Sequence, residues 1–296
     1  MSSKLPFLAL LLAALTKPGF AQTPPMLDGL RQATLALGLH LPKDAGGEDW
    51  GNSTGFMVHR SKDGLDALFL MSGHAEPRRG DAFNAGMGKG EIESVLSRSI
   101  RLDYSLVRVR FSKSVEAHPL KVLGNALPGA GETGIVGLTR DGLHLHVNNA
   151  RRPRLMRASY PDREFGRDST YAGRANPLMF FSPLAFTPLP FMRVNLARPE
   201  KMSRVTIALF PLANKAGVSG GPIIDKKGRV VALVSGGFAR DAKGIYHETF
   251  GVPAALVVRD VARRTGEMDP AGRQMVRAWL RKVPHRARGR AVGRIR

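Results

Sequence analysis

Cysteine is absent from this chain of 296 residues. Disulfides, cysteine nucleophiles and cysteine-based zinc sites are therefore excluded. The fold must rest on its hydrophobic core, and 43% hydrophobic residues in a chain of this length suffice for one. Long apolar runs are also lacking, because beyond the N-terminus none reaches the roughly 18 residues of a membrane-spanning helix. The 33 glycines and 20 prolines indicate many turns and favour a β-rich fold.

Acidic residues are scarce: 24 Asp and Glu stand against 45 Lys and Arg, which leaves a net charge of +21. Part of the excess lies in residues 281–296, which hold seven basic residues and no acidic one. Such a tail is either a solvated segment or one that adheres to anionic surfaces. It contains no base-reading motif and no interleaved aromatic residue, so sequence-specific binding of nucleic acid is not expected.

The N-terminus has the pattern of an export signal. Lys4 precedes an apolar segment, residues 5–16, and Gly19 and Ala21 supply small residues at positions −3 and −1 of a cleavage site. We expect cleavage after Ala21 and a secreted or periplasmic mature protein without a transmembrane segment; a retained signal anchor is the alternative. Residues 22–45 are expected to form an N-terminal extension with a short helix on the body of the protein.

Ser219 lies in a glycine-rich segment, GVSGGP, at residues 217–222. Apolar residues 223–224 and 230–234 flank a polar turn, so a strand, a turn and a second strand are predicted to follow. Glycines permit a tight bend that exposes the serine hydroxyl beside free backbone N–H groups. This arrangement suits a nucleophile and an oxyanion hole. The alternative is a glycine turn that merely contains a serine.

Two other polar residues lie beside predicted strands. His74 follows a mostly apolar segment, residues 65–71, and Asp103 precedes the apolar residues Leu106, Val107 and Val109. Each of them alone is more typical of a structural histidine or a turn aspartate. Their positions at the end of one strand and the start of another become informative only together with the serine motif.

The segments LFLMSGHA, DYSLV and GVSGGP around these three residues resemble the histidine, aspartate and serine motifs of the trypsin-like serine peptidases. Their order along the chain and the 29 residues between the first two (103 − 74) agree with that family. Bacterial HtrA-like and glutamyl-endopeptidase-like members are the most similar. The resemblance covers roughly residues 46–265.

Two further segments extend the resemblance. Residues 231–237 resemble the family strand that flanks the substrate, and residues 249–264 resemble its last strand and closing helix. The resemblance implies an all-β fold, a double six-stranded antiparallel β-barrel of the chymotrypsin type, with a C-terminal helix. The first barrel would span about residues 46–125 and the second about residues 130–265.

The resemblance also implies catalytic roles. His74 would be the general base, Asp103 its orienting carboxylate and Ser219 the nucleophile, with the backbone N–H groups of Gly217 and Ser219 as the oxyanion hole. No cofactor and no metal are implied.

Substrate-binding residues follow by position in the family motif. Ala213, six residues before the serine, would form the floor of the S1 pocket, which holds the residue before the cleaved bond, and Asn214 lies beside it. Ser235 would support the aspartate, and Gly236 and Gly237 would line the substrate. With no acidic group at the floor, we expect a preference for small or apolar residues rather than Arg or Lys.

Three other histidines allow alternatives. His247 could face the pocket and favour an acidic residue before the cleaved bond. His144 and His146 alternate on one strand face, a spacing that can bind metal, but no third ligand is evident.

Two regions lie outside the family pattern. The 116 residues between the aspartate and the serine (219 − 103) indicate an insertion at about residues 148–205. Its proline-rich aromatic segment, residues 178–191, is either a lid or exosite, or further strands of the second barrel. After residue 266 a short helix over residues 270–280 and the basic tail leave no room for a PDZ domain.

The sequence therefore predicts an exported serine endopeptidase that acts on protein or peptide substrates. The alternative is a non-proteolytic binding protein on the same scaffold, which engages anionic surfaces or a protein partner.

Overall fold

The computed structural model describes residues 24–42, 52–85, 88–99, 101–124, 133–139, 142–148, 154–161, 202–240, 242 and 244–283. The predicted export signal, the aromatic segment 178–191 and the tail after residue 283 lie outside these residues. The helices of the structure are α1 (Pro24–Leu35), α2 (Ala254–Arg264) and α3 (Pro270–Leu280). Its strands are β1 (Leu37–Leu41), β2 (Ser53–Arg60), β3 (Asp66–Met71), β4 (Ala82–Ala85), β5 (Gly88–Ser99), β6 (Tyr104–Phe111), β7 (Thr133–Thr139), β8 (Gly142–Asn148), β9 (Arg154–Pro161), β10 (Met202–Phe210), β11 (Asn214–Lys215), β12 (Pro222–Asp225), β13 (Val230–Arg240) and β14 (Ile245–Pro253).

The first six strands close an antiparallel barrel in the order β1-β2-β3-β6-β5-β4, with β4 returning to pair with β1. The barrel therefore begins earlier than residue 46, since β1 belongs to the predicted N-terminal extension. Gly38 lies inside β1. A side chain cannot fit there, because a Cβ at Gly38 would lie 1.9 Å from the ring of Phe83.

The remaining strands form one sheet in the order β8-β7-β12-β13-β14-β10-β9, and β11 pairs with β14 beside that path. The predicted all-β class, with a closed six-stranded barrel, a second sheet and a C-terminal helix, is confirmed. Part of the predicted insertion is regular structure, because β9 and β10 pair along their length from Met202 opposite Pro161 to Leu209 opposite Arg154.

The helix at the beginning of the chain packs on the second sheet. Helix α1 contacts β7 and β12, and a Cβ at Gly134 would lie 3.1 Å from the side chains of both Met26 and Leu30. These two side chains are fully buried. Strand β1 then continues directly into the first barrel, so the N-terminal residues bridge the two parts of the fold.

The helices at the end of the chain make the opposite connection. Helix α2 packs on β13 and β14, whereas α3 crosses to β2 of the first barrel. Asp269 caps α3 by accepting a hydrogen bond from the N–H of Gly272 at 2.8 Å, and Pro270 follows at the first helical position, where its missing N–H is not needed. Trp279 and Val276 bury the inner face of α3. No helix within the described residues is long and apolar enough to cross a membrane.

Candidate active site

His74 lies three residues after the end of β3, where the sequence predicts it. The intervening Gly73 packs tightly against the start of β6, since a Cβ at this glycine would lie 2.9 Å from the backbone N of Tyr104. This close approach brings the chain after β3 beside Asp103, the residue that precedes β6. The side chain of His74 is 24% exposed, so one edge of the ring remains accessible.

Asp103 holds the histidine with three contacts. Its Oδ1 accepts a hydrogen bond from the backbone N–H of His74 at 2.8 Å, and Nδ1 of the ring lies 3.0 Å from Oδ1 and 2.9 Å from Oδ2. Ser235 of β13 donates its hydroxyl hydrogen to Oδ2. The carboxylate, only 2% exposed, is therefore bonded from both the barrel and the second sheet.

These contacts determine the charge of the carboxyl group. Burial raises the pKa of Asp103, but the attraction of the His74 ring and the hydrogen bonds from His74 and Ser235 outweigh burial and hold the pKa below its usual value. The group is an ionised acceptor at neutral pH, so Nδ1 of His74 donates a proton to it. In the neutral form of such a ring Nε2 keeps the lone pair, which is the one a general base uses.

Ser219 lies on a bend between β11 and β12. Gly217 and Gly220 have φ angles of +92° and +83°, values that glycine adopts without strain. Gly220 donates its N–H to Val234 O at 2.7 Å, next to Ser235. A Cβ at Gly220 would lie 2.5 Å from the backbone N of Ser72, so the bend rests on the segment that leads to His74.

Thr54 of β2 anchors this bend, a role that the sequence analysis missed. Its N–H lies 2.9 Å from Ser219 O and 3.1 Å from Gly217 O, and its hydroxyl bonds Gly217 O at 2.9 Å. The same hydroxyl accepts a hydrogen bond from the N–H of Leu138 at 2.8 Å. Nothing in the local sequence indicates this role, because the partners lie 84 and 163 residues away.

The site leaves several groups available for a ligand. Among the described residues, the backbone N–H groups of Gly217 and Ser219 donate no hydrogen bond, and the Ser219 hydroxyl makes none to the His74 ring. Catalytic hydrogen bonds are often long in unliganded enzymes and shorten when substrate binds. The hydroxyl of Ser219 and the two backbone N–H groups therefore remain available to a ligand within the part of the chain that the structure describes.

Of the predicted substrate-binding residues, Asn214 turns inward. Its Nδ2 donates to Gly236 O at 3.2 Å and to Thr249 Oγ1 at 2.6 Å, and the side chain is buried. Asn214 therefore ties β11 to β13 and β14 instead of presenting an amide to a ligand. Gly237 lies against it, since a Cβ there would lie 3.0 Å from Asn214 Nδ2. His247 is exposed on β14.

The two histidines of β8 contact the predicted floor of the pocket. His144 Nε2 lies 2.9 Å from Ala213 O, and Ala213 N lies 3.3 Å from His146 Nδ1. Within the described residues, no group of three or more His, Asp or Glu side chains could hold a metal ion. These histidines therefore have backbone partners in place of the metal that their spacing allowed.

Known proteins resemble this chain in structure rather than in sequence. No protein-family model matches the sequence, and no curated protein matches it. The active form of the Rv3671c protease from M. tuberculosis is similar in structure, with 17% identity, a TM-score of 0.53, and 82% of this chain and 87% of that chain covered. Its inactive form gives 15% identity, a TM-score of 0.50, and coverages of 83% and 98%. At these identities the likeness concerns the fold, and the chain has the chymotrypsin-like fold of these serine proteases.

Proposed function

We propose that this chain is an exported serine endopeptidase that cleaves peptide bonds through an acyl-enzyme intermediate. Ser219 is the nucleophile, His74 the general base and Asp103 the carboxylate that orients the base. The observation that carries the proposal is the bonding of Asp103: one buried carboxylate accepts hydrogen bonds from His74 and from Ser235. Such a carboxylate both fixes the tautomer of a histidine and stabilises its protonated form.

Acylation uses the groups in the following way. His74 Nε2 takes the proton of the Ser219 hydroxyl as Oγ bonds to the carbonyl carbon of the substrate. The ionised Asp103 stabilises the new imidazolium of His74. This imidazolium then gives its proton to the amine nitrogen as the C–N bond breaks, which leaves an ester on Ser219. In deacylation, water attacks the ester carbon while His74 takes a proton from the water. The proton then passes to Ser219 Oγ as the ester bond breaks.

The negative charge on the substrate oxygen develops beside the bend. The N–H groups of Gly217 and Ser219, which have no acceptor within the described residues, are the donors for it. Fixed donors of this kind contribute about 3–4 kcal/mol to transition-state stabilisation in comparable sites. Thr54 supports them indirectly, because it bonds the carbonyl oxygens of the same two residues.

The substrate is a protein or peptide with a small or apolar residue before the cleaved bond. Ala213 presents no charge at the floor of the S1 pocket, so a cationic side chain finds no partner there. The enzyme acts outside the cytoplasm once the N-terminal signal is removed, and the basic C-terminal tail holds it at anionic surfaces.

The first test replaces the nucleophile. Ser219→Ala should reduce hydrolysis of fluorescein-labelled casein by at least about a thousandfold and abolish labelling by a fluorophosphonate. The matched control is Ser112→Ala, an exposed serine that follows β6, which should retain both activities. Thermal unfolding of each variant verifies the fold. Casein hydrolysis that survives in Ser219→Ala would remove Ser219 from its role.

The second test concerns the base and its partner. His74→Ala should lose activity to a similar extent, because no other group takes the serine proton. Asp103→Asn should retain the fold but lose about 10⁴-fold in kcat, because an amide stabilises the wrong tautomer of His74.

A non-proteolytic binding protein is the second candidate. The observation in its favour is the net charge of +21, together with the lack of a hydrogen bond between the Ser219 hydroxyl and the His74 ring within the described residues. A folded wild-type protein that binds polyphosphate, but neither cleaves casein nor reacts with the fluorophosphonate, would favour this candidate over the peptidase.

A further inference from the structure

Two histidines of β8 bond the backbone of Ala213, one at its carbonyl oxygen and the other at its N–H. His144 Nε2 lies 2.9 Å from the carbonyl oxygen of Ala213, and the N–H of Ala213 points to His146 Nδ1 at 3.3 Å. The two histidines face the same side of β8, where they lie opposite Gly137 and Ile135 of β7. Both backbone polar groups of Ala213 are thus satisfied by side chains.

The chemistry of these bonds assigns a role to each ring nitrogen. A carbonyl oxygen only accepts, so His144 must carry a proton on Nε2, in either the neutral or the charged form. A backbone N–H only donates, so His146 must keep the lone pair on Nδ1 and carry its proton on Nε2. Protonation of His146 would place a second hydrogen against the Ala213 N–H and break this bond, whereas protonation of His144 would leave its bond intact.

The position of Ala213 matters because the chain leads from it to the bend that carries Ser219. Strand β11, which follows directly, is two residues long and pairs with β14. Lys215 O accepts the N–H of Val218 at 3.2 Å, so the turn that carries Gly217 starts from this strand. A shift of Ala213 therefore moves the floor of the proposed S1 pocket. Through β11 and this turn it also displaces the bend that carries Ser219.

The surroundings of the pair favour the neutral rings. Burial lowers the pKa of His146 and the nearby His144 lowers it further. Burial also lowers the pKa of His144, where the bond to Ala213 opposes the shift and the positive charge of Lys215 adds to it. Strand β7, which pairs with β8, contains no titratable side chain. Within the residues that the structure describes, the titratable groups that act on the pair are thus each other and Lys215.

We propose that His144 and His146 are positioning residues that hold Ala213, and with it the floor of the S1 pocket, in place only while His146 is uncharged. The inference rests on the proposed peptidase function. A base whose pKa is lowered in the folded state is neutral above that pKa, so the bond is present near neutral pH and is lost as the pH falls below the ordinary histidine range. Substrate binding should weaken on acidification because the floor of the pocket shifts, separately from any pH effect on the proposed catalytic step.

The test uses replacements that keep the bond but cannot titrate. The Oδ1 of an asparagine lies close to the position of a histidine Nδ1, so His146→Asn should accept the Ala213 N–H at every pH. We expect the KM of the wild type for a soluble fluorogenic peptide with a small residue before the cleaved bond, relative to that of His146→Asn, to increase about three- to tenfold as the pH is lowered from neutrality into the acidic range. A pH effect on the proposed catalytic step is common to both proteins and cancels in the ratio.

Three variants serve as comparisons. His146→Ala should show the raised KM at all pH values, and His146→Asn should restore the wild-type KM at neutral pH. His144→Gln, whose amide N–H replaces the Nε2 donor, should keep the acid-dependent rise in KM but move it to higher pH, because His144 no longer lowers the pKa of His146. His118→Asn removes an exposed histidine and should match the wild type throughout.

The rate of fluorophosphonate labelling separates the two proposals. A wild type that is not labelled refutes the proposed peptidase function itself. A labelled wild type whose KM ratio to His146→Asn stays constant with pH refutes the role of His146, as does a change confined to kcat.

A measurement without catalysis tests the bond directly. In ¹⁵N-labelled Ser219→Ala protein, the amide resonance of Ala213 should titrate together with the ring of His146, and this titration should vanish after His146→Asn. An Ala213 amide that ignores the protonation of His146 would overturn the inference even if the enzyme is a peptidase.

Discussion

The hydroxyl of Tyr104 donates a hydrogen bond to Asp260 Oδ2 at 2.8 Å, which ties the residue after Asp103 to helix α2. Burial raises the pKa of Tyr104, so its hydroxyl stays a donor at neutral pH. Asp260 is also bonded by Arg263 at 2.7 Å and by Arg264 at 3.1 Å. The strand that presents the proposed catalytic carboxylate is thus attached to the element that closes the second sheet.

Tyr104→Phe should lower the free energy of unfolding by about 1–3 kcal/mol, because the buried Asp260 loses a donor. Chemical denaturation measures the loss. In a double-mutant cycle with Asp260→Asn, the double variant should lose less stability than the two single variants lose in total, because the two residues share one hydrogen bond. Strict additivity would show that the bond contributes nothing.

Gly220→Ala should lower the free energy of unfolding by about 2–4 kcal/mol and slow the reaction of Ser219 with the fluorophosphonate. The φ angle of +83° strains an alanine, and its Cβ would lie 2.2 Å from Thr54 O. Gly266→Ala is the matched control, since a Cβ there meets nothing within 4 Å. It should leave stability unchanged or raise it by about 0.5 kcal/mol. Equal effects at both glycines would contradict the packing described for the bend.

Ser235→Ala should reduce the free energy of unfolding at neutral pH by about 1.5–3 kcal/mol, because a buried carboxylate loses a hydrogen bond. The pKa of Asp103 is lowered in the folded state, so the stability that its contacts contribute is present above the ordinary carboxyl pKa and is lost as the pH falls through the lowered one. The difference in the free energy of unfolding between the wild type and Ser235→Ala should therefore become smaller at acidic pH. Urea denaturation across the acidic range measures it, and a gap that stays constant would argue against a charged Asp103.

His59 predicts a second pH effect, at the contact between β2 and α3. Burial lowers its pKa from 6.5 to about 4, and Lys282 after α3 adds to the shift. The folded state binds this proton less readily than the unfolded chain, so stability should fall as the pH decreases from about 6.5 toward 4. His59→Gln should remove about 3 kcal/mol of that fall. His118→Gln, at an exposed histidine, should leave the profile as it is.

The convergence of His74 and Asp103 could be predicted because each lies in a short motif at the end or start of a strand. The same holds for α3, which occupies the residues whose helical pattern marks it, Pro270–Leu280. Local sequence was sufficient in these cases, since the spacing of apolar residues and the turn residues specify the element. The start of the barrel at β1 could not be predicted in this way, because the constraint on Gly38 is the ring of Phe83, which is distant in sequence.

The contacts that escaped prediction are those between distant segments. Thr54 and Asn214 are ordinary polar residues in sequence, and only the packing of β2 against the bend, or of β11 against β13 and β14, reveals their partners. The spacing of His144 and His146 suggested a ligand, but their partners are the carbonyl oxygen and the N–H of Ala213, which lies 69 and 67 residues away from them. No pattern within β8 encodes that neighbour.

The crossing of the terminal helices has a consequence for how the protein assembles. Helix α1 precedes the barrel yet covers the second sheet, and α3 follows the second sheet yet covers β2 of the barrel. Neither half of the chain, produced as a separate fragment, would contain all the surface that buries its own core. During synthesis the barrel is complete only once α3 has been made, and the whole molecule should melt as one body rather than in two stages.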